Sequence, residues 1–411
     1  MKNYPFTQIS LQSPAETKTV PKRSSTAKWR PSRDVMKPPE TILLIIRRSL
    51  GDVLAVSPVV DILARRFASA SIDLLVNQDT AAAANLLKGI RNIIAFDDGA
   101  LKTTPVSSFM MQIGLLQKIF RRYDLAIAFT TNERSNLYAF FAGRTSIGAR
   151  EKVFAKNWWH RLLLDGGYLI DPQRHILENN LSALSTLGIS IDRIVLSATY
   201  AGASGQKVQQ MLKDFGMDRF IIFHPSGRYR CKSYPEQQRN SLLRLLDSLN
   251  IPIIVTGGHS DIDRQVAATL PELKNVRSFI GRLSLEECAA LTDLALAYVG
   301  VDTFNAHLAA AFNKPVFVMF GPTIPEIWSP WSNDLQTAGR RNASMQIYGN
   351  ITLFQSGMAC VPCGHSKCRE TDRPSPCMEA IDPRNVFHQV QQWFLNLSPE
   401  SQDNAKNVLP V

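Results

Sequence analysis

Twice in this chain a run of strand length is apolar at nearly every position: Thr41-Ile42-Leu43-Leu44-Ile45-Ile46 and Pro315-Val316-Phe317-Val318-Met319-Phe320. A strand with one wet face alternates apolar and polar residues, so a continuous run demands cover on both faces. Parallel sheets with helices above and below supply that cover. After the first run the pattern alternates. Helices are expected over Val53–Phe67, Thr80–Leu87, Phe109–Arg121 and Arg134–Phe141, with strands at Ile72–Val76, Asn92–Phe96 and Leu125–Phe129 and a short run at Thr145–Gly148. Strict alternation of this kind predicts a doubly wound parallel sheet. Pro58 sits awkwardly in the first helix, which either kinks there or restarts with Ser57 as N-cap and Pro58 in its first turn.

The alternation restarts after an irregular stretch from 150 to 200, which holds Trp158-Trp159-His160, expected to be either a packing cluster or an interdomain surface, and a helix from His175 to Leu187. Strands Phe220–Phe223, Ile251–Thr256 and Leu296–Val299 alternate with helices Glu236–Leu249 and Asp261–Leu270, the latter capped by Ser260. The capping box Ser284-Leu285-Glu286-Glu287 opens a further helix. A chain of 411 residues exceeds one ordinary core. The expected organisation is α/β: a basic extension over 1–40, one Rossmann-like domain over 41–197, a second over 206–382, and a closing helix over 383–397. The Ala-, Ser- and Gly-rich segment 198–205 reads as the linker, and a cleft is expected between the two domains.

The formal net charge is +11. Residues 1–40 hold eight Lys or Arg against three acidic residues, in a Pro-, Ser- and Thr-rich setting without apolar periodicity, which reads as disordered. Attraction to an anionic membrane surface is the sharper reading of this charge, a solvated extension the plainer one. No basic-aromatic motif points to nucleic acid. Neither a run long enough to span a membrane nor an apolar leader is evident, so the expected location is cytoplasmic.

Ligands in such sheets bind at strand carboxyl ends, facing helix N-termini. Three turns there carry chemistry. Arg48-Ser49-Leu50-Gly51-Asp52 follows the first apolar run, and Asp52 is either a helix-capping carboxylate or a general base at the cleft. His224-Pro225-Ser226-Gly227-Arg228-Tyr229-Arg230-Cys231-Lys232 offers small residues and cations for an anionic group. Asp302-Thr303-Phe304, with His307 in the helix that follows, lies on the rim of the same crevice. Gly257-Gly258 is a further strand-end turn that either lines the cleft or turns the chain. Neither a P-loop nor a G-x-G-x-x-G fingerprint occurs. The thiols of Cys360, Cys363, Cys368 and Cys377 fit a structural metal such as zinc about as well as they fit free thiols in a loop.

Taken in order, these turns resemble glycosyltransferase family 9, the lipopolysaccharide heptosyltransferase family. The resemblance rests on Ile42–Arg47 with Ser49-Leu50-Gly51-Asp52-Val53 and Ser57-Pro58, then His175 and Leu187-Gly188-Ile189, then His224-Pro225-Ser226-Gly227 with Lys232 and Pro235. Thr256-Gly257-Gly258, Gly281 with Ser284-Leu285, Asp302-Thr303 with His307-Leu308-Ala309, and Phe320-Gly321-Pro322-Thr323 complete it. The cysteine cluster is also similar to one in several members. It implies the two-domain GT-B fold and inverting transfer from a nucleotide-diphosphate sugar, usually ADP-heptose, to a hydroxyl of the lipopolysaccharide inner core. By position Asp52 is the base, with Arg48, Ser49 and Gly51 on the acceptor side. Lys232 neutralises the diphosphate. Ser226, Gly227, Arg228, Gly257, Gly258, Asp302, Thr303 and His307 line the donor pocket. No metal-binding DxD-type motif is evident in either cleft turn, so no metal is expected in catalysis. The acceptor implied is a lipid-linked anionic glycan, with peripheral contact at the inner face of the membrane. A different nucleotide sugar, a protein or other polysaccharide acceptor, and a binding protein without catalysis are the competing readings. Where the family usually has Asp-Ser-Gly this chain has Asp302-Thr303-Phe304, which sets a ring beside the donor.

Overall fold

The computed structural model describes residues 38–97, 105–151, 159–341, 343–365, 368 and 374–397. The basic extension (apart from 38–40) and Trp158 lie outside them. The first half runs β1 (Thr41–Ile46), α1 (Leu50–Leu54), α2 (Ser57–Arg66), β2 (Ser71–Asn77), α3 (Ala81–Ala84), β3 (Ile90–Phe96), α4 (Pro105–Ile119), β4 (Tyr123–Ala128), α5 (Glu133–Ala142), β5 (Gly143–Arg150), α6 (His160–Leu163), β6 (Gly166–Leu169) and α7 (Ile176–Ser185). The second begins with α8 (Gly202–Asp214), β7 (Ile221–His224), α9 (Glu236–Asp247), β8 (Ile253–Val255), α10 (Asp261–Ala268), β9 (Val276–Ser278) and α11 (Leu285–Leu294). It continues with β10 (Ala297–Val301), α12 (Phe304–Ala311), β11 (Val316–Phe320), α13 (Pro325–Trp328), β12 (Met345–Tyr348), β13 (Ile351–Gln355), α14 (Pro376–Glu379) and α15 (Pro383–Leu395).

Two sheets result. The first has the order β3-β2-β1-β4-β5-β6, and all its pairings are parallel. The second has the order β12-β13-β11-β10-β7-β8-β9, parallel except for the β12–β13 hairpin. Each sheet reverses direction of growth once: between β1 and β4 in the first, and between β7 and β10 in the second. Such switch points open crevices at the carboxyl edge. The two acidic turns, after β1 and after β10, lie at these places.

The continuous apolar runs behave as two-faced strands should. In β1, Leu43 and Ile45 pack with Leu115 and Ile119 of α4 and Tyr138 and Ala139 of α5. Ile42, Leu44 and Ile46 face the other way, onto Val53, Val59, Leu63 and Leu181. That second cluster does not stop at the first sheet: it continues through Leu212, Ile222, Leu308 and Val318 of the second half. Beyond the second sheet, Phe223, Val255, Val299 and Met319 are covered by Leu242 and Leu246 of α9 and by Val386, Val390 and Phe394 of α15.

Several expectations shift. The Pro58 problem resolves as a break: α1 ends at Leu54, and α2 restarts with Val56 as N-cap and Pro58 at its start. The helix expected from Thr80 to Leu87 is reduced to a 3-10 turn and the single-turn α3. The expected linker is partly helical, because α8 starts at Gly202. Upstream of it the connecting segment is bonded on both sides. Arg193 donates to the Asn333 carbonyl at 2.8 Å, and Leu196 exchanges two bonds with the Asn333 side chain, both at 2.9 Å. Towards the first half, Ser197 N–H donates to Ser57 Oγ at 3.1 Å and Thr199 N–H to the Leu86 carbonyl at 2.9 Å.

Candidate active site

The turn after β1 is held by its own polar groups. Ser49 precedes α1 in extended backbone, and Asp52 is buried in the helix's first turn. Both the Ser49 N–H, at 3.1 Å, and its hydroxyl, at 2.6 Å, donate to Asp52 Oδ2. The capping role anticipated for Asp52 is therefore filled by one oxygen. Oδ1 is also buried and has no hydrogen bond; its nearest cation is Arg48, whose Nε lies 3.4 Å away. Arg48 in turn stacks over Trp328 at 5.8 Å, reaching into the second half.

Opposite stands α12. It packs against α1, and a Cβ placed on Gly51 would lie 4.0 Å from His307 Cδ2. Any larger side chain at Gly51 would fill the space between the halves. Burial lowers the basicity of His307; the Asp302 and Asp52 carboxylates oppose that and Lys232 adds to it, and the result lies below the usual imidazole value. His307 thus sits between the two acidic turns. His175 adjoins this group. It caps α7 through Nδ1, stacks on Trp331 at 5.2 Å, and places Nε2 2.9 Å from the Ser329 carbonyl. Burial pushes it down to about 4, so it is neutral and donates from Nε2.

Asp302, which is buried, and Lys232, which is half-buried, form an ion pair at 2.8 Å across the β7–β10 switch point. Thr323, after β11, also donates to Asp302 Oδ2. Burial alone would raise the Asp302 carboxyl, but the charge and hydrogen bond of Lys232, with the Thr323 hydroxyl, outweigh it and hold it below the ordinary value. Lys232 is therefore positioned by Asp302 rather than left unpaired. Gly227 lies against Lys232 and Thr303, and its N–H donates to Ser233 Oγ at 3.1 Å. Thr303 is the N-cap of α12; its carbonyl takes the Ala306 N–H at 3.1 Å, but its side chain caps none of the first N–H groups of the helix, those of Phe304 and Asn305. Phe304 opens the helix and packs partly on the shared core.

Ser226 turns elsewhere. Its hydroxyl donates to Asp263 Oδ1 at 2.6 Å, in the first turn of α10. Gly257 and Gly258 lie against the same carboxylate, and a Cβ on Gly257 would meet Asp263 Oδ1 at 2.9 Å. Beside them His224, pushed down by burial to about 4, bonds Thr256 Oγ1 at 2.9 Å and Asn305 at 3.1 Å. Asp263 and Asn305 were not singled out from sequence, and Thr323 figures there only as the last residue of the Phe320-Gly321-Pro322-Thr323 motif. Asp263 had a legible signal, since Ser260-x-x-Asp263 is a capping pattern of the kind read at Ser284. Arg228 is exposed and joins none of these groups.

Of the four clustered thiols, Cys360 and Cys363 are exposed, Cys368 half-buried and Cys377 buried. Among the described residues no three His, Cys, Asp or Glu side chains are arranged to hold a metal ion. Cys377 instead lies 3.0 Å from Ser375 Oγ, which donates at 2.6 Å to the carbonyl of Cys231, the residue before Lys232.

Comparisons with known proteins bear on the family and the fold. The sequence profile described as glycosyltransferase family 9 (heptosyltransferase) matches residues 113–348. Lipopolysaccharide heptosyltransferase 3 of Escherichia coli is 28% identical over 306 residues, covering 69% of this chain and 84% of that protein. Among solved structures, the family 9 glycosyl transferase from Veillonella parvula superposes with a TM-score of 0.69 at 16% identity, covering 87% of this chain and 98% of that one. ADP-heptose lps heptosyltransferase II of E. coli gives 0.64 at 17%, covering 86% and 98%. The two facing sheets are the GT-B fold of those structures. The chain belongs to glycosyltransferase family 9 (heptosyltransferase) and is a glycosyltransferase.

Proposed function

We propose that this enzyme transfers heptose from ADP-heptose, with inversion, onto a hydroxyl of the lipopolysaccharide inner core, and that Asp52 is the general base. The observation that carries the assignment of the base is the division of labour in that carboxylate. Oδ2 is fixed by Ser49, while Oδ1 is buried without a hydrogen bond at the crevice that His307 faces. An acceptor hydroxyl placed there would pass its proton to Oδ1 as its oxygen attacks the anomeric carbon from the side opposite the departing diphosphate.

The second half holds the donor in this reading. Lys232, kept in place by Asp302, and the Phe304 and Asn305 N–H groups at the start of α12, which the Thr303 side chain does not cap, would meet the developing charge on the diphosphate. Thr303 and His307 would form the wall beside it. Ser226, Gly257 and Gly258 support the loop through Asp263, and Arg228 is a cation available to reach in from solvent. Arg48, Ser49 and Gly51 shape the acceptor side. The acceptor is an anionic, lipid-linked glycan, which places the enzyme peripherally at the cytoplasmic face of the membrane. No helix of the described residues is long and apolar enough to cross one.

A second reading, another nucleotide sugar with the same chemistry, is favoured by Phe304, the first residue of α12, beside Asp302 and Thr303. A panel of ADP-, UDP- and GDP-sugars assayed by thermal shift, with product mass on a lipopolysaccharide core acceptor, decides between them. Bound donor stabilises the fold by mass action. Stabilisation by ADP-heptose, with addition of one heptosyl mass, is expected. Stabilisation by UDP- or GDP-sugars alone would overturn the donor assignment.

A further inference from the structure

A surface helix of a globular protein is ordinarily apolar on one side only. The helix α4 is not. Leu115 and Ile119 face the first sheet and are buried against Tyr123, Tyr138 and Ala142. On the opposite side Phe109 is 63% exposed and Met110 62%, and Phe120, just past the helix end, is 56% exposed. Phe109, Ile113 and Phe120, at spacings of i, i+4 and i+11, share one stripe. Gly114 beside it has open space where a Cβ would stand. Lys118 is the only charged residue between Pro105 and Ile119.

The two ends of this stripe differ. Its Phe109 end lies at the carboxyl edge of the first sheet, the edge that carries Asp52. Its Phe120 end lies at the amino edge, among cations. Arg121 stacks over Phe140 at 5.5 Å, and Phe120 and Phe140 both contact Phe141. A hollow of about 490 Å³ opens there, lined by Asp73, Arg91, Asn92, Lys118, Arg122 and Tyr123. Arg91 grips the Asp73 carboxylate with two bonds, at 2.9 and 2.7 Å, and Tyr123 adds a third at 2.9 Å. The one acid of the hollow is thus neutralised. Lys118 and Arg122 have no side-chain partner among the described residues, and Arg144 is matched only distantly by Asp124, at 3.8 Å. The chain enters the described fold at this same edge, where Thr41 Oγ1 donates to the Arg122 carbonyl. The 37 residues before it carry eight Lys or Arg against two acids.

We propose that the outer face of α4 lies on an anionic lipid bilayer. Phe109, Met110, Ile113 and Phe120 enter the boundary between headgroups and acyl chains, and Lys118, Arg121 and Arg122 meet the headgroup phosphates. An apolar stripe flanked by cations, without an acid in the helix, suits an anionic membrane surface. The inference rests on the proposed function for its purpose: a docked α4 would bring the carboxyl edge of the first sheet to the surface that bears a lipid-linked acceptor.

The test is co-sedimentation of the full chain with vesicles of phosphatidylcholine and phosphatidylglycerol, against phosphatidylcholine alone. Binding to the mixed vesicles is expected, weakening severalfold as salt is raised. The double variant Phe109→Ser/Phe120→Ser should bind about tenfold or more weakly. Lys118→Glu/Arg122→Glu should lose the preference for phosphatidylglycerol. A wild-type melting temperature and circular-dichroism spectrum in both variants show that each has folded. Wild-type binding by the serine variant would overturn the proposal, because the basic extension alone would then account for it. So would a dimer that the serine substitutions dissociate without changing vesicle binding, which would give the face to a second copy of the chain. Neither donor nor acceptor enters this measurement, so its failure and failure of the heptosyl assignment are separately visible.

Discussion

Replacing Asp52 by Asn tests the proposed chemistry with the least damage to the turn. The amide keeps the length of the side chain, and its oxygen can still accept from the Ser49 N–H and hydroxyl, which now hold Oδ2 at 3.1 and 2.6 Å. What it cannot do is take a proton at the position of Oδ1. Loss of a general base costs about 10²- to 10⁴-fold in rate. That is about 3–5 kcal/mol of barrier at 25 °C. The structural penalty is smaller: charge-assisted bonds become neutral ones, about 1 kcal/mol. A chain of this size should lose no more than about 2–4 °C in Tm from such a change. The catalytic loss therefore exceeds the structural one severalfold, and the two are separable. The assay is turnover by release of ADP in the presence of acceptor, with ADP binding measured by calorimetry on the same sample. The expected result is a collapse of kcat with ADP affinity within about twofold of wild type. Turnover within a few-fold of wild type would refute the role of base. A parallel fall in ADP affinity and Tm would show Asp52 to be a structural residue.

Two further outcomes follow from the buried charges. Lys232→Met should weaken ADP binding about 10- to 100-fold and destabilise the fold, because Asp302 is left buried without its cation. The double change Lys232→Met/Asp302→Asn should restore Tm without restoring ADP binding, and recovery of both would remove Lys232 from the donor site. For pH, His175 and His224 are both pushed by burial to about 4 from an ordinary value of 6.5. Between those values the unfolded chain binds protons that the folded one refuses, so stability rises with pH. It is complete above about 6.5 and is lost as pH falls towards 4, by on the order of 3 kcal/mol per histidine. Thermal melts across that range should show the slope in the wild type, and His175→Gln should flatten it. A slope unchanged in the variant would contradict the assignment to His175.

Much of the fold was legible because its signals are local. Continuous apolar runs such as Thr41–Ile46 can be read without knowing their neighbours, and Ser260 and Ser284 announce their helices through residues three positions on. The acidic turns were legible for the same reason. The short strands β6 and β9 were not, since three or four residues carry no period. The hairpin of β12 and β13 had a signal that went unread: Tyr348 and Ile351 flank the two-residue turn Gly349-Asn350, a favoured hairpin pair. Contacts between distant segments left no trace. Nothing near His175 announces Ser329, nothing in the donor loop announces that Ser375 holds the Cys231 carbonyl, and neither acidic turn reveals that His307 lies beside Gly51. Pairing of Lys232 with Asp302 also changed the electrostatics expected of the donor loop, from a cluster of free cations to one positioned cation and an exposed Arg228.

The segment from Arg193 to Thr199 joins the halves, yet it is fastened to each of them along its length. A loose tether lets two bodies diffuse apart within its reach and find each other again. A strip stitched on both sides has no slack to give. Parting the halves there would first require those bonds to break and the apolar core beneath them to be wetted. Relative movement of the halves would have to pivot about that strip or break its bonds. For the same reason an insertion at 193–199 would not act as a spacer. It would unpick the joint, leaving Gly51 and His307 without the registration that sets the width of the crevice.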